Sequence, residues 1–149
     1  MIETKFGSGR EVKRVEDDRL LRGEGVFTDD VDPNAARICF VRSPYAHAKI
    51  KQFDTAAAAA MPGVRLILSG ADLAAKNVPH MARAMNFKRP DGSDLQAPNR
   101  YILAADRVRF VGEAVAAVVA DTWQQAQDAA EAVMVDYEPL AAVANLEQA

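Results

Sequence analysis

Two segments of the chain share one strand–helix–strand plan, and this pattern constrains the fold more than any other feature of the sequence. In "DTAAAAAMPGVRLILSG" (54–70), Asp54 or Thr55 is placed to cap a helix by accepting a hydrogen bond from a free backbone N–H. The alanines that follow propagate a helix at little entropic cost. Pro62-Gly63 then ends it, so "VRLIL" is expected to be the next strand.

The same plan recurs in "VAAVVADTWQQAQDAAEAVMVDYEP" (115–139). Here Asp121-Thr122 is the expected cap, and Thr122 has capping-box spacing with Gln125. An internal duplication and two uses of a favoured cap both explain the pattern, because two copies are too few to define a repeat architecture. The spacing predicts that one helix face carries Trp123, Ala126, Ala130 and Val133.

The stretch "RICFVRSPYAHAKIKQFDT" (37–55) predicts two strands with a corner between them. Ser43-Pro44 is the corner, because proline has no N–H to donate to a strand ladder. The residues after the corner alternate, which predicts a half-buried strand with one wet side. The alternation places Ala46, Ala48, Ile50 and Gln52 on one side, and His47, Lys49, Lys51 and Phe53 on the other.

The composition fits one soluble globular domain, with 149 residues, 50% hydrophobic and 26% charged. The net charge of −3 and the lack of a basic stripe argue against nucleic-acid binding. The apolar runs are too short to cross a bilayer, and the first ten residues lack the apolar segment of a signal peptide. The single cysteine, Cys39, excludes an internal disulfide and suits a reducing compartment, so we expect a cytoplasmic protein.

The segment 77–101 is the part of the sequence that most invites a function. It holds three prolines and a "PDG" turn signal, and a structureless stretch of this length is usually a binding loop, a lid or a disordered segment. Its apolar and imidazole side chains either line a pocket or form a small packing cluster of their own. These candidate residues are His80, Met81, Met85 and Phe87.

The other reactive residue types do not form a catalytic constellation. His47 stands on the wet side of a strand with no nucleophile near it in sequence, and Cys39 lies in an apolar strand. Two isolated histidines and one cysteine do not supply a metal site. The acidic cluster at 29–32 lacks the glycine and the distal glutamate of a calcium loop, so we interpret it as a turn.

Gly112 and Glu113 interrupt the apolar run 102–120. Gly112 predicts a tight turn or a bulge. Glu113 either has a pKa raised by burial or accepts hydrogen bonds from backbone N–H groups at a bend, and we favour the second. The residues assigned structural roles are therefore Pro44, Asp54, Thr55, Gly112, Glu113, Asp121 and Thr122.

Four motifs in one order resemble a known family: "RVEDDRLLRGEGVFTDD", "FVRSPYAHAKIKQFDTAAAAAMPGV", "LSGADL" and "RVRFVGEAVAAVVADTWQQAQDAAEAVMVDYEPL". They are similar to the N-terminal α/β-hammerhead domain of the molybdopterin-carrying large subunit of molybdenum hydroxylases. This family includes xanthine dehydrogenases, aldehyde oxidoreductases and aerobic carbon monoxide dehydrogenases. Tyr45 and Ala114 stand where the family often has histidine and proline, which bears on the branch of the family.

The resemblance implies an α+β fold, the α/β-hammerhead, with a mixed sheet, two short helices and a long central loop. Residues 1–13 are then a mobile N-terminus. Residues 14–149 are a single hammerhead domain, the first domain of a longer polypeptide.

The resemblance also implies the activity of a parent enzyme, which hydroxylates aldehydes, N-heterocycles or CO with oxygen from water. Molybdopterin carries the molybdenum, and electrons pass to [2Fe–2S] clusters and FAD on partner domains or subunits. In the family the pterin-contacting segments and the catalytic glutamate lie downstream of this domain. No residue of this chain therefore inherits a catalytic, cofactor-binding or metal-binding role, and the chain alone is expected to be inactive.

The expected partners are the catalytic domains of the same large subunit and the iron–sulfur and FAD subunits. The loop 77–101 corresponds to a segment that approaches the substrate entrance in the family. An isolated domain with an exposed interface would tend to self-associate. The alternative is a stand-alone small-ligand-binding or subunit-docking module.

Overall fold

The computed structural model describes residues 14–82, 87–94 and 99–148, so the expected mobile N-terminus 1–13 lies outside the described residues. The chain divides into two compact units, 1–35 and 36–149. The described part of the first unit holds a short helix, α1 (Asp17–Leu21), and a 3₁₀ turn at Thr28–Asp30. The Asp30 carboxylate accepts a hydrogen bond from the Phe27 N–H at 3.0 Å, so part of the acidic cluster serves the turn itself.

The second unit contains two three-stranded sheets, which we call sheet A (order β1-β5-β3) and sheet B (order β4-β2-β6). Every strand pairing in them is antiparallel. The α+β class is confirmed, but the strands form two antiparallel sheets instead of one mixed sheet. The elements are β1 (Arg37–Arg42), β2 (Ala48–Asp54), α2 (Ala56–Ala59), β3 (Val64–Ser69), α3 (Gly70–Ala75), β4 (Arg107–Val108), β5 (Ala114–Ala120), α4 (Trp123–Ala132), β6 (Met134–Pro139) and a 3₁₀ turn at Leu146–Gln148.

The corner at Ser43-Pro44 divides the sheets, because it takes the chain from β1 in sheet A to β2 in sheet B. Ser43 is buried, and its N–H donates to the Glu113 carbonyl at 2.9 Å. Its hydroxyl accepts a hydrogen bond from the Tyr45 N–H at 3.0 Å. Pro44 has no N–H to satisfy, so it occupies the turn at no cost in hydrogen bonds.

A bulge in β2 makes the predicted alternation wrong beyond Ile50. Ile50 pairs with Tyr137 and Gln52 pairs with Asp136, so Lys51 is an extra residue without an opposite partner. Because one extra residue reverses the side on which later side chains point, Phe53 packs into the core instead of joining Lys49 on the wet side.

The face predicted for α4 is correct in its middle and wrong at its start. Ala126 and Ala129 are buried, and Val133 follows just after the helix at 8% exposure. Trp123 is 56% exposed. The helix approaches sheet A through small alanine side chains, and Trp123 at the first helical position lies ahead of that contact. Within the described ranges, no helix is both long and apolar enough to cross a membrane.

Candidate functional site

The segment 77–101, which we call the central arm, contains local pairing in its described parts. The Met81 N–H donates to the Arg100 carbonyl at 2.8 Å, which joins the two ends of the arm. Further out, Lys88 pairs with Asp94 as an isolated bridge, and their side chains form an ion pair at 3.2 Å. The described portions therefore pair in a hairpin-like manner and are not structureless.

The candidate residues of the arm are exposed where the structure describes them. Met81 is 45% exposed and Phe87 is 61% exposed, while Met85 lies outside the described residues. The His80 ring meets the Tyr101 ring edge-on, with 6.4 Å between centroids. A cavity of about 60 Å³ at the base of the arm is lined by Val78, Pro79 and Tyr101 together with residues of α3, and not by His80, Met81 or Phe87.

The base of the arm rests on Arg109 and Glu113. The Arg109 guanidinium lies 5.4 Å from the centroid of the Tyr101 ring, a cation–π contact. The Glu113 carboxylate is buried and accepts a hydrogen bond from the Arg109 N–H. Glu113 thus acts as the acceptor at a bend that the sequence favoured. The roles of Arg109 and Tyr101 were missed, because no local pattern shows that these two side chains meet.

Gly112 allows the tight turn that places Glu113. Its φ of +85° lies in the left-handed region, which glycine adopts without a Cβ penalty. Its N–H donates to the Ser43 carbonyl at 2.8 Å, and its own carbonyl accepts from Arg42 Nη1 at 2.9 Å. The turn therefore connects the base of the arm to the corner that separates the sheets.

The two Asp-Thr pairs use different residues as caps. The Asp54 carboxylate accepts from the Ala56 N–H at 3.0 Å, while the Thr55 side chain makes no capping hydrogen bond. In the second pair, Thr122 Oγ1 accepts from the Gln125 N–H at 3.2 Å. Asp121 instead binds Arg65 Nε through Oδ1 at 2.5 Å, which joins the end of β5 to β3.

Both histidines contact main-chain oxygens. His47 Nδ1 lies 2.7 Å from the Ala141 carbonyl and must donate, because a carbonyl only accepts. His80 Nδ1 lies 3.3 Å from the Met81 carbonyl. Among the residues that the structure describes, no three His, Cys, Asp or Glu side chains are grouped to hold a metal ion. These contacts give neither histidine the orientation of a general base towards a nucleophile.

Sheet B carries a cluster of opposite charges made by Lys49, Lys51 and Glu138. Lys51 Nζ lies 2.5 Å from one Glu138 oxygen and Lys49 Nζ lies 3.6 Å from the other. The hydrogen bond from Lys51 lowers the pKa of Glu138 below its usual value, and the same bond raises the pKa of Lys51. Burial raises the pKa of the nearby Tyr137. Lys49, Lys51 and Glu138 thus join β2 to β6 by ion pairs on the exposed side of sheet B, which is a structural role.

The buried polar groups of the described residues bear on the molybdopterin that the resemblance implies for the parent enzyme, because a pocket orients a bound group through polar side chains that face it. The Tyr137 hydroxyl is buried without a hydrogen-bond partner in the described part of the chain. The buried polar residues of the described ranges are Ser43, Ser69 and Glu113, and each already serves the protein. Ser43 binds Tyr45, Ser69 caps α3 through Asp72, and Glu113 accepts from Arg109.

Two antiparallel three-stranded sheets joined at the Ser43-Pro44 corner, with the central arm between α3 and β4, define a structural domain of the hammerhead type. The family model described as "Aldehyde oxidase and xanthine dehydrogenase, a/b hammerhead domain" matches residues 22–141. The chain belongs to this family.

Curated relatives are large subunits of oxidoreductases. The carbon monoxide dehydrogenase large chain of Afipia carboxidovorans is 44% identical over 90% of this chain and 15% of its own length. The nicotine 6-hydroxylase large subunit of Paenarthrobacter nicotinovorans is 39% identical over 91% of this chain and 16% of its own length. The chain thus spans about a sixth of the length of these relatives.

Solved structures agree. Quinoline 2-oxidoreductase from Pseudomonas putida 86 superposes with a TM-score of 0.79 at 40% identity, covering 91% of this chain and 17% of that one. Carbon monoxide dehydrogenase from Oligotropha carboxidovorans superposes with a TM-score of 0.73 at 42% identity, covering 89% and 15%. A copper- and molybdenum-containing carbon monoxide dehydrogenase also superposes with a TM-score of 0.73 at 42% identity, so this chain resembles part of a molybdenum enzyme.

Proposed function

We propose that the chain is a non-catalytic scaffold domain of a molybdenum hydroxylase large subunit. The observation that carries this proposal is the match of residues 22–141 to the hammerhead family while the chain spans only 15% of the carbon monoxide dehydrogenase large chain. A chain that corresponds to one domain of a much longer relative is expected to have the structural role of that domain.

The contacts of the buried polar residues support a scaffold role. Ser43, Gly112 and Glu113 are joined by main-chain hydrogen bonds at the corner, and Glu113 also holds Arg109 beneath the arm. These groups fix where the central arm leaves the domain. An arm held in a fixed position could form part of the wall of the substrate entrance. Its exposed Met81 and Phe87 side chains would then contact a neighbouring domain or the substrate.

The activity belongs to the assembled enzyme in this proposal. That enzyme hydroxylates an aldehyde, an N-heterocycle or CO with oxygen from water. Molybdopterin is held by the catalytic domains, and the electrons reach [2Fe–2S] clusters and FAD on partner subunits. The assembly is cytoplasmic. The names of two relatives, a large chain and a large subunit, support the multi-subunit setting.

Two measurements on purified protein test the proposal. The chain alone should show no oxidation of aldehydes, N-heterocycles or CO and should contain no stoichiometric molybdenum. Turnover by the isolated chain together with one molybdenum per chain would overturn the non-catalytic role.

A domain swap tests the scaffold role directly. The aligned segment of the Afipia carboxidovorans large chain, 135 residues long, is replaced by this chain. A scaffold domain should give a soluble large chain at a yield close to that of the unaltered protein. Insoluble product from the swap, with the unaltered large chain soluble under the same conditions, would contradict the scaffold role.

A further inference from the structure

One face of sheet A is covered by α4, and the opposite face is apolar. Val118 of β5 packs with Ala129 of α4, which places the covered side of the sheet. The side chains of the opposite face stand in two cross-strand rows, because neighbouring residues of a strand point to opposite sides. We call this surface the outer face; its rows are Ile38–Val119–Leu66 and Phe40–Ala117–Leu68.

The outer face is open as well as apolar. Ile38 is 46% exposed and Leu66 is 47% exposed. Phe40 is 38% exposed and lies under the Arg42 guanidinium, 5.7 Å from its ring centroid. The row of Ile38 and Leu66 is therefore the more accessible of the two.

A sheet face that stays in water normally alternates to polar residues. Sheet B follows this rule, since Lys49 and Lys51 on β2 pair with Glu138 on β6. The two rows of the outer face of sheet A hold only apolar side chains, with the Arg42 guanidinium lying over Phe40 at one end. An apolar outer face departs from this alternation and has the pattern of a sheet face that is covered.

We propose that the outer face docks against an apolar surface of the catalytic portion of a molybdenum hydroxylase large subunit, within one polypeptide. This inference rests on the proposed function. The relatives supply the occupant, because the carbon monoxide dehydrogenase large chain devotes only 15% of its length to the part that this chain matches. The remainder of that large chain belongs to the same polypeptide and is therefore tethered to the matching part.

The size of the outer face favours a tethered partner over a second copy of this chain. Two rows of side chains across three strands cover roughly 200 Å², given the strand spacing and rise of a β-sheet. A stable interface between separate proteins needs about 800 Å² on each partner. A tethered partner is held at a high effective concentration, so a smaller patch is enough to fix its position.

The test uses the domain swap described above with substitutions on the outer face. Ile38→Lys and Leu66→Lys place a charge in the proposed interface. Met134→Lys is the matched control, because Met134 is an apolar strand residue that is 70% exposed on sheet B. Urea denaturation of each variant of the full 149-residue chain shows first that it still folds. If a lysine variant does not fold as an isolated chain, the corresponding threonine variant, Ile38→Thr or Leu66→Thr, is used in its place.

The expected result is a fall of at least about tenfold in the soluble yield of the swapped large chain for the outer-face variants, because a buried unpaired charge is costly. The control and the unsubstituted swap should have equal yields. Equal yields for all variants would overturn the docking surface and leave the proposed function standing. An insoluble unsubstituted swap would overturn both.

Sedimentation of the isolated chain tests the second copy as occupant. A monomer at all concentrations agrees with the tethered partner. A stable dimer that Ile38→Lys dissociates and Met134→Lys does not would assign the outer face to a second copy and overturn the proposal.

Discussion

The Glu113 carboxylate accepts a hydrogen bond from the Arg109 N–H within the turn that precedes β5. The side chain of Arg109 lies over the Tyr101 ring at the end of the central arm. The main-chain carbonyl of Glu113 accepts from Ser43 at the corner between the sheets. The buried residue Glu113 thus links the base of the central arm to the Ser43-Pro44 corner between the two sheets.

We expect Glu113→Ala to lower the free energy of unfolding by about 1–2 kcal/mol, because it removes the acceptor of a partly buried N–H. Urea denaturation followed by circular dichroism measures the loss. Glu113→Gln keeps an acceptor oxygen and should lose less. Equal losses in the two variants would show that the charge matters and not the acceptor.

The two Asp-Thr pairs allow a comparison of helix caps within one protein. Thr122→Ala should lower the free energy of unfolding by about 1 kcal/mol, because its hydroxyl caps α4. Thr55→Ala is the matched control and should cost less, since its side chain makes no capping bond and Asp54 serves α2 instead. Thermal or urea denaturation compares them. Identical losses would argue against the assigned caps.

The features that the sequence predicted are local ones. The capping box of Thr122 and Gln125 depends on residues three apart, and the corner at Pro44 depends on one missing N–H. Pairing between distant strands decides the rest. The bulge at Lys51 exists because of the register with β6, and no pattern within β2 reveals it. It was this register that turned Phe53 into the core.

The candidate site shows the same division. The length and turn signals of the central arm were visible in the sequence, as was Glu113 between apolar runs. The contact of Arg109 with Tyr101 depends on how the arm returns to β4, which only the fold determines. The outer face of sheet A also needed the strand order, because Ile38 and Leu66 are brought into one row by Val119 between them.

Gly70 should not tolerate a side chain. A Cβ at Gly70 would overlap the backbone of Ala104, so Gly70→Ala should lower the free energy of unfolding by at least about 2 kcal/mol. Gly112→Ala meets no atom within 4 Å and has only its backbone strain of about 1 kcal/mol to bear. Urea denaturation ranks the two. A Gly70→Ala protein as stable as the parent would show that the segment of Ala104 is free to shift.

Glu138 should contribute a dependence of stability on pH. Its pKa is lowered from the usual 4.5, chiefly by the hydrogen bond from Lys51, so the folded state binds fewer protons than the unfolded state in this range. The stabilisation is therefore complete above about pH 4.5 and is lost as the pH falls through the lowered pKa. At the alkaline end, the pKa of Lys51 is raised from 10.5, chiefly by its hydrogen bond to Glu138. The stabilisation from Lys51 is therefore complete below about pH 10.5 and is lost as the pH rises through the raised pKa.

Urea denaturation from about pH 7 to about pH 3 tests this effect of a depressed carboxyl pKa. Parent and Glu138→Gln should differ most at neutral pH and converge in acid. Glu131→Gln, at an exposed glutamate of α4, is the control and should follow the parent. Because the ion pair is exposed, 1 M salt should reduce the difference between parent and Glu138→Gln at neutral pH. A Glu138→Gln curve that runs parallel to the parent at every pH would contradict the assigned ion pair.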